Sequence, residues 1–415
     1  MKKTKLYSLL SLFAKVMICR WRYHRVLQRL RGRPSGVKIK VLFIVSSTSK
    51  WKCQSLYDLM KASETFEPVI GLAVLDRDLS LSKDEMAAKL CADRAFYGRH
   101  GDKCVDMVDC ETRAVKTPSD FGADIVFPQE QWGVLPGHDV YSMSRYALVC
   151  YMPYSIEAPV EARLYCQNGF HRLLFLEFMW SEKRAAYCRR FYHWWNRAGR
   201  MPGTGHTTLD LFYLKRSEPM TGELVIYAPH YSFNHPNHNP KIHLSTFTEC
   251  GKQILEYAKA HSEIKWFYKP HPTLYRDLVD CGAWTKSEVD AYDKAWNDIG
   301  ITCYDGDYQE LFLKSRVLIT DCGSFLFEYA ATGNPVIRLI PDNVNTFPCP
   351  AAKPVCDQFY NVHSLDEMYN AFDLVIRDRK DPKRETRRKA AADCGLTGNY
   401  AAEKVIGLLE RVIGG

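Results

Sequence analysis

Acidic side chains are missing from the first 57 positions of this sequence. The 415 residues include 56 lysines and arginines and 48 aspartates and glutamates, which give a formal net charge of +8. Fourteen of the basic residues lie between Lys2 and Lys52, whereas the first carboxylate is Asp58. The other 42 basic and 48 acidic residues give positions 58–415 a net charge of −6. This acidic main part argues against a nucleic-acid partner, and the basic N-terminal segment needs its own interpretation.

Paired cysteine motifs and long apolar runs are missing as well. The 15 cysteines are odd in number and contain no CxxC pair, which indicates reduced thiols rather than a disulfide scaffold or a zinc ribbon. The most apolar N-terminal stretch, residues 6–19, is too short for a transmembrane helix, which needs about 20 apolar residues. Arginines follow it instead of a small-residue cleavage site, and this disfavours a signal peptide.

The N-terminal segment, residues 1–36, is predicted to form a basic amphipathic helix. Its apolar side chains share one helical face: Leu6, Leu9, Leu10, Phe13, Val16 and Met17. Arginines interleaved with aromatic residues follow: Arg20, Trp21, Arg22, Tyr23, Arg25 and Arg29. This combination favours peripheral binding of residues 1–33 to an anionic membrane surface. The alternatives are a helix that packs on the rest of the protein and a nucleic-acid-binding segment.

Apolar strands alternate with helical patterns along the rest of the chain, which predicts an α/β fold of two doubly wound, Rossmann-like domains. We expect a linker at Gly199–Gly205. The predicted domains are 37–205, 206–395 and a C-terminal helix within 396–415 that crosses back to the first domain. Because such sheets bind ligands at the carboxyl ends of their strands, we expect the active site in the cleft between the two domains.

The most informative motif runs from a predicted strand through the turn Thr320-Asp-Cys-Gly-Ser324 into a helix. Gly323 and Ser324 would lie at the N-terminus of this helix, where free N–H groups and the helix dipole bind phosphate. Alternatively, Ser324 is a plain N-cap residue and Asp321 is solvated.

A second motif, Lys269-Pro-His-Pro272, ends another apolar strand. The two prolines restrict the backbone on both sides of His271, and Lys269 offers a positive charge to a phosphate. The alternative is a structural turn with a surface histidine. A third motif, Tyr227-Ala-Pro-His230, begins a stretch rich in histidine. No carboxylate or cysteine lies between His230 and His243, so we predict no metal site and interpret His230 as a substrate-site residue.

Together, Tyr227-Ala-Pro, Lys269-Pro-His-Pro272 and Thr320-Asp-Cys-Gly-Ser324 with Phe327-Glu-Tyr329 resemble the CDP-glycerol glycerophosphotransferase family, whose members build teichoic acids and capsules. The likeness covers residues 220–340 and implies a GT-B-like fold, with an acceptor domain followed by a nucleotide-donor domain. It implies His271 and Asp321 as catalytic residues and Lys269, Thr320, Gly323, Ser324 and Glu328 as substrate-binding residues. We add His230 as a third catalytic candidate.

The first domain departs from the family pattern. Family members carry a His-Gly element after a first-domain strand, but the corresponding stretch here, residues 150–157, has no histidine. We therefore expect Tyr151, Tyr154 or Glu157 to face the cleft, with Tyr154 and Glu157 as acceptor-side residues. His230, which stands where a small hydroxyl residue is expected, would compensate for the missing histidine.

The implied reaction transfers glycerol phosphate, or a similar polyol phosphate, from a CDP-linked donor to a hydroxyl of a cell-surface polymer or a lipid-linked acceptor and releases CMP. No cofactor is required for it, and the expected location is peripheral, on the cytoplasmic face of the inner membrane. One alternative is a nucleotide-sugar-dependent glycosyltransferase of capsule or lipopolysaccharide synthesis. Another is a non-catalytic, membrane-bound scaffold that retains a transferase fold.

Overall fold

Buried apolar segments alternate with amphipathic helices and produce two parallel sheets. The computed structural model describes residues 2–99, 101–156, 169–215, 223–240, 242–302, 308–344 and 348–414. The chain divides into two units, and each has its own six-stranded sheet. The first unit holds the residues up to Ser155, the segment that ends at Asp210 and the C-terminal residues from Asn399, and the second holds Leu211–Gly398. This confirms the α/β class with two parallel-sheet domains.

The first sheet has the strand order β3-β2-β1-β4-β5-β6, and its adjacent strands are all parallel. Its strands are β1 (Ile39–Val45), β2 (Phe66–Leu72), β3 (Cys104–Asp106), β4 (Ile125–Pro128), β5 (Leu148–Tyr151) and β6 (Leu176–Glu177). Six of the seven β1 residues are buried, as expected for a central strand that is covered on both faces.

Helices flank this sheet. They are α1 (Lys2–Arg31), α2 (Gln54–Ala62), α3 (Lys83–Gly98), α4 (Val140–Met143), α5 (Gly169–Leu173), α6 (Glu182–Arg189) and α16 (Ala401–Gly414). The short helix α7 (Asp210–Leu214) begins in the first unit with Asp210 and continues into the second. Short 3-10 helices lie at Thr48–Lys50, Asp76–Ser80, Pro118–Phe121 and Thr207–Leu209. The N-terminus of α16 is fixed to this unit, because Asp210 accepts hydrogen bonds from the backbone N–H groups of Ala401 and Ala402 at 2.7 and 3.0 Å.

The N-terminal helix α1 is built into the first unit. Its buried side chains, spaced three and four residues apart, are Val16, Cys19, Tyr23, Val26 and Leu30. Of the apolar face that the sequence predicts, Val16 is buried, whereas Leu9, Leu10 and Phe13 are exposed. Among the described residues, no helix is long and apolar enough to cross a membrane.

Several arginines of α1 are bound by the first unit. Arg20 donates to the Arg197 carbonyl oxygen at 3.1 Å, and Arg22 donates to the Tyr141 carbonyl oxygen at 2.8 Å. Arg29 forms an ion pair of 3.1 Å with Asp124. The predicted alternative, a helix that packs on the protein, therefore describes the second half of α1.

The second sheet has the strand order β12-β11-β10-β7-β8-β9, and its adjacent strands are again parallel. Its strands are β7 (Leu224–Ala228), β8 (Lys265–Tyr268), β9 (Gly300–Thr302), β10 (Ser315–Thr320), β11 (Val336–Leu339) and β12 (Tyr360–Val362). Its helices are α8 (Phe247–Ala260), α9 (Leu274–Asp280), α10 (Lys286–Ile299), α11 (Gln309–Lys314), α12 (Gly323–Ala330), α13 (Lys353–Cys356), α14 (Leu365–Phe372), followed by the π-helix Asp373–Arg377, and α15 (Arg384–Asp393).

Residues 199–205, predicted to be a linker, instead pack beside β6 in the first unit. Backbone hydrogen bonds join the Glu177 N–H to the Arg200 carbonyl oxygen at 3.0 Å and the Met179 N–H to the Pro202 carbonyl oxygen at 2.8 Å. Glycine is needed for this approach, since a Cβ atom added to Gly199 would lie 1.6 Å from the Phe175 carbonyl oxygen. The glycines that were predicted to belong to a linker therefore allow two backbone segments to approach each other closely.

Replacing Gly199 by alanine should destabilise the protein by more than about 2 kcal/mol, because the added methyl group collides with backbone that cannot move aside. Urea unfolding followed by circular dichroism measures this loss. Gly98→Ala is the matched control, because a Cβ at that helical position meets no atom within 4 Å. A Gly199→Ala midpoint equal to that of the Gly98→Ala protein would contradict the packing described here.

Candidate functional site

Three neighbouring strands of the second unit end at one edge of the sheet and bring the predicted motifs together. Because β7 lies between β8 and β10, His230, Lys269 and Asp321 follow adjacent strand ends. Backbone hydrogen bonds fix the loops: the Lys269 N–H donates to Tyr227 at 2.9 Å, and the His271 N–H donates to Pro229 at 3.1 Å. The sequence motifs thus converge on one end of a single sheet.

Thr320 joins two of these strand ends. It is fully buried, and its hydroxyl donates to the Ala228 carbonyl oxygen at 2.5 Å. The Thr320 hydroxyl oxygen also accepts from the Cys322 N–H at 2.9 Å. Its hydroxyl is therefore committed to shaping the turn, and its predicted role in binding substrate stays a prediction.

Asp321 connects the turn after β10 to the two ends of the segment between β7 and α8. One carboxylate oxygen accepts from the His230 N–H at 2.5 Å, and the other accepts from the Thr246 N–H at 2.8 Å and the Thr246 hydroxyl at 3.2 Å. Burial raises the pKa of Asp321 to about 6, although these hydrogen bonds oppose the shift. The geometry indicates that Asp321 positions the His230 loop.

His230 and His271 lie beside each other, with ring centroids 5.1 Å apart. Tyr231 lies against both rings, at 4.4 Å from His230 and 4.5 Å from His271. Burial, followed by the charge of His271, lowers the pKa of His230 to about 3, so His230 is neutral at physiological pH. The pair was not foreseen as a contact, since the two motifs are 41 positions apart in the sequence.

The backbone determines which ring nitrogen of each histidine carries the proton. Nδ1 of His230 accepts from the Ser232 N–H, and Nδ1 of His271 accepts from the Thr273 N–H, both at 3.2 Å. A backbone N–H can only donate, so each Nδ1 is an acceptor and the proton of the neutral ring is on Nε2. Both rings therefore offer Nε2–H groups, which suit hydrogen bonding to phosphate oxygens better than proton abstraction.

Lys269, Tyr308 and Glu328 form a second group at this edge. The Lys269 ammonium nitrogen lies 5.7 Å from the centre of the Tyr308 ring, and the Tyr308 hydroxyl donates to Glu328 at 2.5 Å. Lys269 and Glu328 are 6% and 1% exposed. The sequence analysis did not single out Tyr308, because a tyrosine within an irregular stretch gives no signal of such a contact.

The helix α12 begins at Gly323, directly after the turn that follows β10, as the sequence predicts. Its N-cap residue is Cys322, which makes no side-chain capping hydrogen bond. Ser324 is therefore not the N-cap, and its hydroxyl lies 3.3 Å from the Cys322 sulfur. Gly323 is the first residue of the helix, so the N–H groups of Gly323 and Ser324 lie in its first turn, where backbone donors lack partners within the helix.

The other histidines of the stretch do not assemble with this pair. His238 bonds through Nε2 to the Tyr231 carbonyl oxygen at 3.2 Å, and His261 lies at the opposite end of β8. Within the described ranges, no group of three or more histidine, cysteine, aspartate and glutamate side chains is arranged to hold a metal ion.

Polar side chains also follow the strands of the first unit. Tyr154 is half-buried, with the Lys50 ammonium 5.0 Å from its ring centre, and Lys50 forms an ion pair of 2.7 Å with Glu130. Glu130 follows β4, is 4% exposed, and accepts from the Ser46 hydroxyl at 3.2 Å. The sequence analysis missed Lys50 and Glu130. Glu157 lies outside the described residues.

The expectation that Tyr151 faces the cleft was wrong, because its side chain is fully buried. Its hydroxyl accepts from Gln131 at 2.9 Å, and Gln131 in turn meets His171 at 3.1 Å. His171 pairs with the buried carboxylate of Glu177 at 2.6 Å, and Arg197 pairs with the same carboxylate at 2.9 Å. This internal network uses a first-unit histidine that no motif indicated.

The two parallel-sheet units define the GT-B type of fold. Neither a protein-family model nor a curated protein matches the chain. Among solved structures, MnaA of S. aureus with UDP is similar with a TM-score of 0.56 and 13% identity, over 90% of this chain and 96% of that one. A putative UDP-N-acetylglucosamine 2-epimerase from Listeria monocytogenes gives 0.55 and 13%, with the same coverage.

The wall teichoic acid polymerase TagF is also similar, with a TM-score of 0.55 and 12% identity over 100% of this chain and 98% of that one. Such low identities establish the fold and not the activity. GT-B structures with different activities thus share the architecture of this chain.

Asparagine at position 321 tests the proposed positioning role. Because the folded-state pKa of about 6 exceeds the ordinary value of 3.8, the folded protein binds the extra proton more tightly. The stability that Asp321 contributes is therefore fully present below about pH 4 and is lost as the pH rises through about 6. The advantage of the wild type over Asp321→Asn in free energy of unfolding should shrink over this range.

Urea unfolding at several pH values measures this advantage. Asp139→Asn, which changes an exposed helix-capping carboxylate of the first unit, is the control. An advantage over Asp321→Asn that stays constant or grows from pH 4 to pH 7 would contradict the assignment.

Proposed function

We propose that this chain transfers a polyol phosphate, such as glycerol phosphate, from a CDP-linked donor to a hydroxyl of a polymer or lipid-linked acceptor. The observation that supports this most is the convergence of Lys269, His271 and the start of α12 on adjacent strand ends. A cation, imidazole N–H groups and helix N–H groups are the donors that a pyrophosphate needs.

The likeness to TagF, one of whose structures is of a crystal soaked with CDPG, supports this donor class. The UDP complex of MnaA supports the broader class of nucleotide-linked donors. A UDP-linked sugar is therefore the second candidate donor, and it corresponds to the glycosyltransferase alternative.

The proposed reaction is a phosphoryl transfer. The acceptor oxygen bonds to the β-phosphorus while the bond from that phosphorus to the bridging oxygen breaks, and CMP leaves with the electron pair. The acceptor proton passes to a base. Catalysis of this kind relies on positioning and on stabilising negative charge. Lys269 and the Nε2–H groups of His230 and His271 supply that charge stabilisation, and Asp321 acts by holding the His230 loop.

Alanine at position 271 should lower the rate of CMP release from CDP-glycerol by about 100-fold or more, because it removes a donor to the reacting phosphate. The assay follows CMP with CDP-glycerol, CDP-ribitol and UDP-sugars in parallel, and circular dichroism confirms folding. His261→Ala is the matched control at the opposite end of β8.

Three results would contradict parts of this proposal. Full turnover by His271→Ala would refute the role of His271. Turnover of a UDP-sugar alone would favour the second candidate. Absence of turnover with every donor and a range of acceptors would favour the scaffold alternative.

We also propose that the first half of α1 binds an anionic membrane surface, which would place the protein peripherally on the cytoplasmic face of the inner membrane. Large apolar side chains remain exposed there and beside it: Tyr7, Leu9, Leu10, Phe13, Trp21 and Trp194. Arg25 lies 4.9 Å from the ring centre of Trp21, so cationic and aromatic groups adjoin. Aromatic and basic side chains together suit the headgroup region.

Glutamate substituted at both Leu10 and Trp21 should abolish binding to vesicles of anionic phospholipid, because it adds negative charge and removes apolar surface. Both side chains are more than half exposed, so the fold should persist. Flotation of the full-length protein with vesicles measures binding. A matched control, glutamate at exposed Trp132 and Leu214, should leave it unchanged. Equal flotation of both variants would contradict the proposal.

A further inference from the structure

Strand β11 is buried along its whole length, and its one charged residue is Arg338. Its four residues, Val336, Ile337, Arg338 and Leu339, are all buried, and Arg338 is 8% exposed. Over the described parts of the chain, the Arg338 guanidinium forms no ion pair and no hydrogen bond. By contrast Arg387, the other arginine that is buried among the described residues of this unit, pairs with Asp381 and donates to the Gly333 carbonyl oxygen at 3.0 Å.

The guanidinium of Arg338 is not sealed inside the protein. None of its three guanidinium nitrogens is fully enclosed by protein, so each of them keeps some access to solvent. Burial lowers the pKa of Arg338, which shows that its surroundings disfavour the charge. A buried charge without a partner is unfavourable for folding, and it is retained where a ligand completes the interaction.

Sheet register places Arg338 beside the turn that follows β10. Thr320 is its direct neighbour across the β10–β11 pair. Ile319 and Ile337, one residue earlier in each strand, face the hydrophobic core under α8 and α10. Because side chains alternate along a strand, Arg338 faces the other side of the sheet. The helix α12, which contributes no residue to that core, lies on this other side and begins three residues after Thr320.

The groups around Arg338 do not neutralise it. Asp321, whose charge favours the protonated guanidinium, uses its oxygens on backbone and hydroxyl donors of the His230 and Thr246 segments. The nearby Cys356 thiol is uncharged at neutral pH, because burial raises its pKa to about 12. The uncapped N-terminus of α12 adds partial positive charge on the same side of the sheet. Two positive groups therefore adjoin, and the oxygens of the nearby Asp321 carboxylate are already bonded to other donors.

We propose that Arg338 is a phosphate-binding residue, which contacts the pyrophosphate of the nucleotide donor together with the first N–H groups of α12. This rests on the proposed function for the identity of the donor. A guanidinium suits the task because it stays charged when buried and offers paired N–H donors that match two phosphate oxygens. The bound pyrophosphate would be the ion-pair partner of the Arg338 guanidinium.

Methionine substituted for Arg338 should weaken binding of inorganic pyrophosphate, and of CDP, by about 10-fold to 100-fold. Calorimetric titration of the full-length protein measures both affinities. The melting temperature without ligand should stay equal or rise, because an unpaired buried charge is replaced by an apolar side chain of similar length. Arg338→Lys, which keeps the charge but loses the paired donors, should lie between methionine and the wild type.

Arg316→Met is the matched control. Arg316 lies near the N-terminal end of the neighbouring strand β10, whereas Arg338 lies near the C-terminal end of β11. Both substitutions lower the net charge by one. It should leave pyrophosphate affinity unchanged. Wild-type pyrophosphate affinity in Arg338→Met would overturn the inference, and so would an equal loss in Arg316→Met. A large fall in the melting temperature of Arg338→Met would overturn it too, because that result assigns Arg338 a structural role.

The same variants separate this inference from the proposed function. If Arg338→Met loses pyrophosphate affinity while the wild type turns over none of the CDP-linked donors, the phosphate site stands and the proposed reaction fails. If Arg338→Met turns over CDP-glycerol with the wild-type KM, the reaction stands and the role of Arg338 fails.

Discussion

The buried carboxylate of Asp321 is the constraint on which the candidate site depends. It ties the end of β10 to the residue after β7 and to the residue before α8, so one side chain fixes three segments. Burying a carboxylate is unfavourable, and its raised pKa records that cost. Three donors in fixed positions offset the cost only in this arrangement. The interaction therefore fixes the backbone of the loop in which His230 lies against His271.

The two histidines show how backbone hydrogen bonds can set side-chain chemistry. Each ring accepts an N–H from the residue two positions later, so each ring turns its Nε2 away from its own loop. Because His230 stays neutral, the pair avoids the repulsion of two imidazolium groups. Two donors with fixed orientation bind an anion without the reorganisation that solvent would require.

Local sequence patterns predicted the strands and the motifs at their ends, because apolar runs, prolines and glycines act within a few residues. The strands β8 and β10 and the helix start at Gly323 are examples. Polar contacts between distant positions could not be predicted in this way. The network of His171, Glu177 and Arg197 depends on which segments the fold brings together.

Helix α1 illustrates the same limit. Its buried face runs through Cys19 and Tyr23 to Leu30, beyond the apolar stretch that the hydropathy pattern indicates, and it depends on contacts with distant segments of the first unit. The buried Arg338 was overlooked for a related reason. A single arginine in a strand gives no sign of whether a carboxylate lies opposite it.

The first unit is assembled from segments that precede and follow the second unit in the sequence. Helix α16 contributes Ala402, Val405, Leu409 and Ile413 to the core that also contains the α1 residues, and Arg31 donates to the Ile413 carbonyl oxygen at 3.2 Å. On the ribosome, the second unit therefore emerges complete while the first still lacks a helix. The core of the first unit can close only after α16 has been synthesised, when contacts between residues 382 positions apart become possible. The second unit is thus an insertion within the first, and a helix made after the second unit completes a core whose strands were made before it.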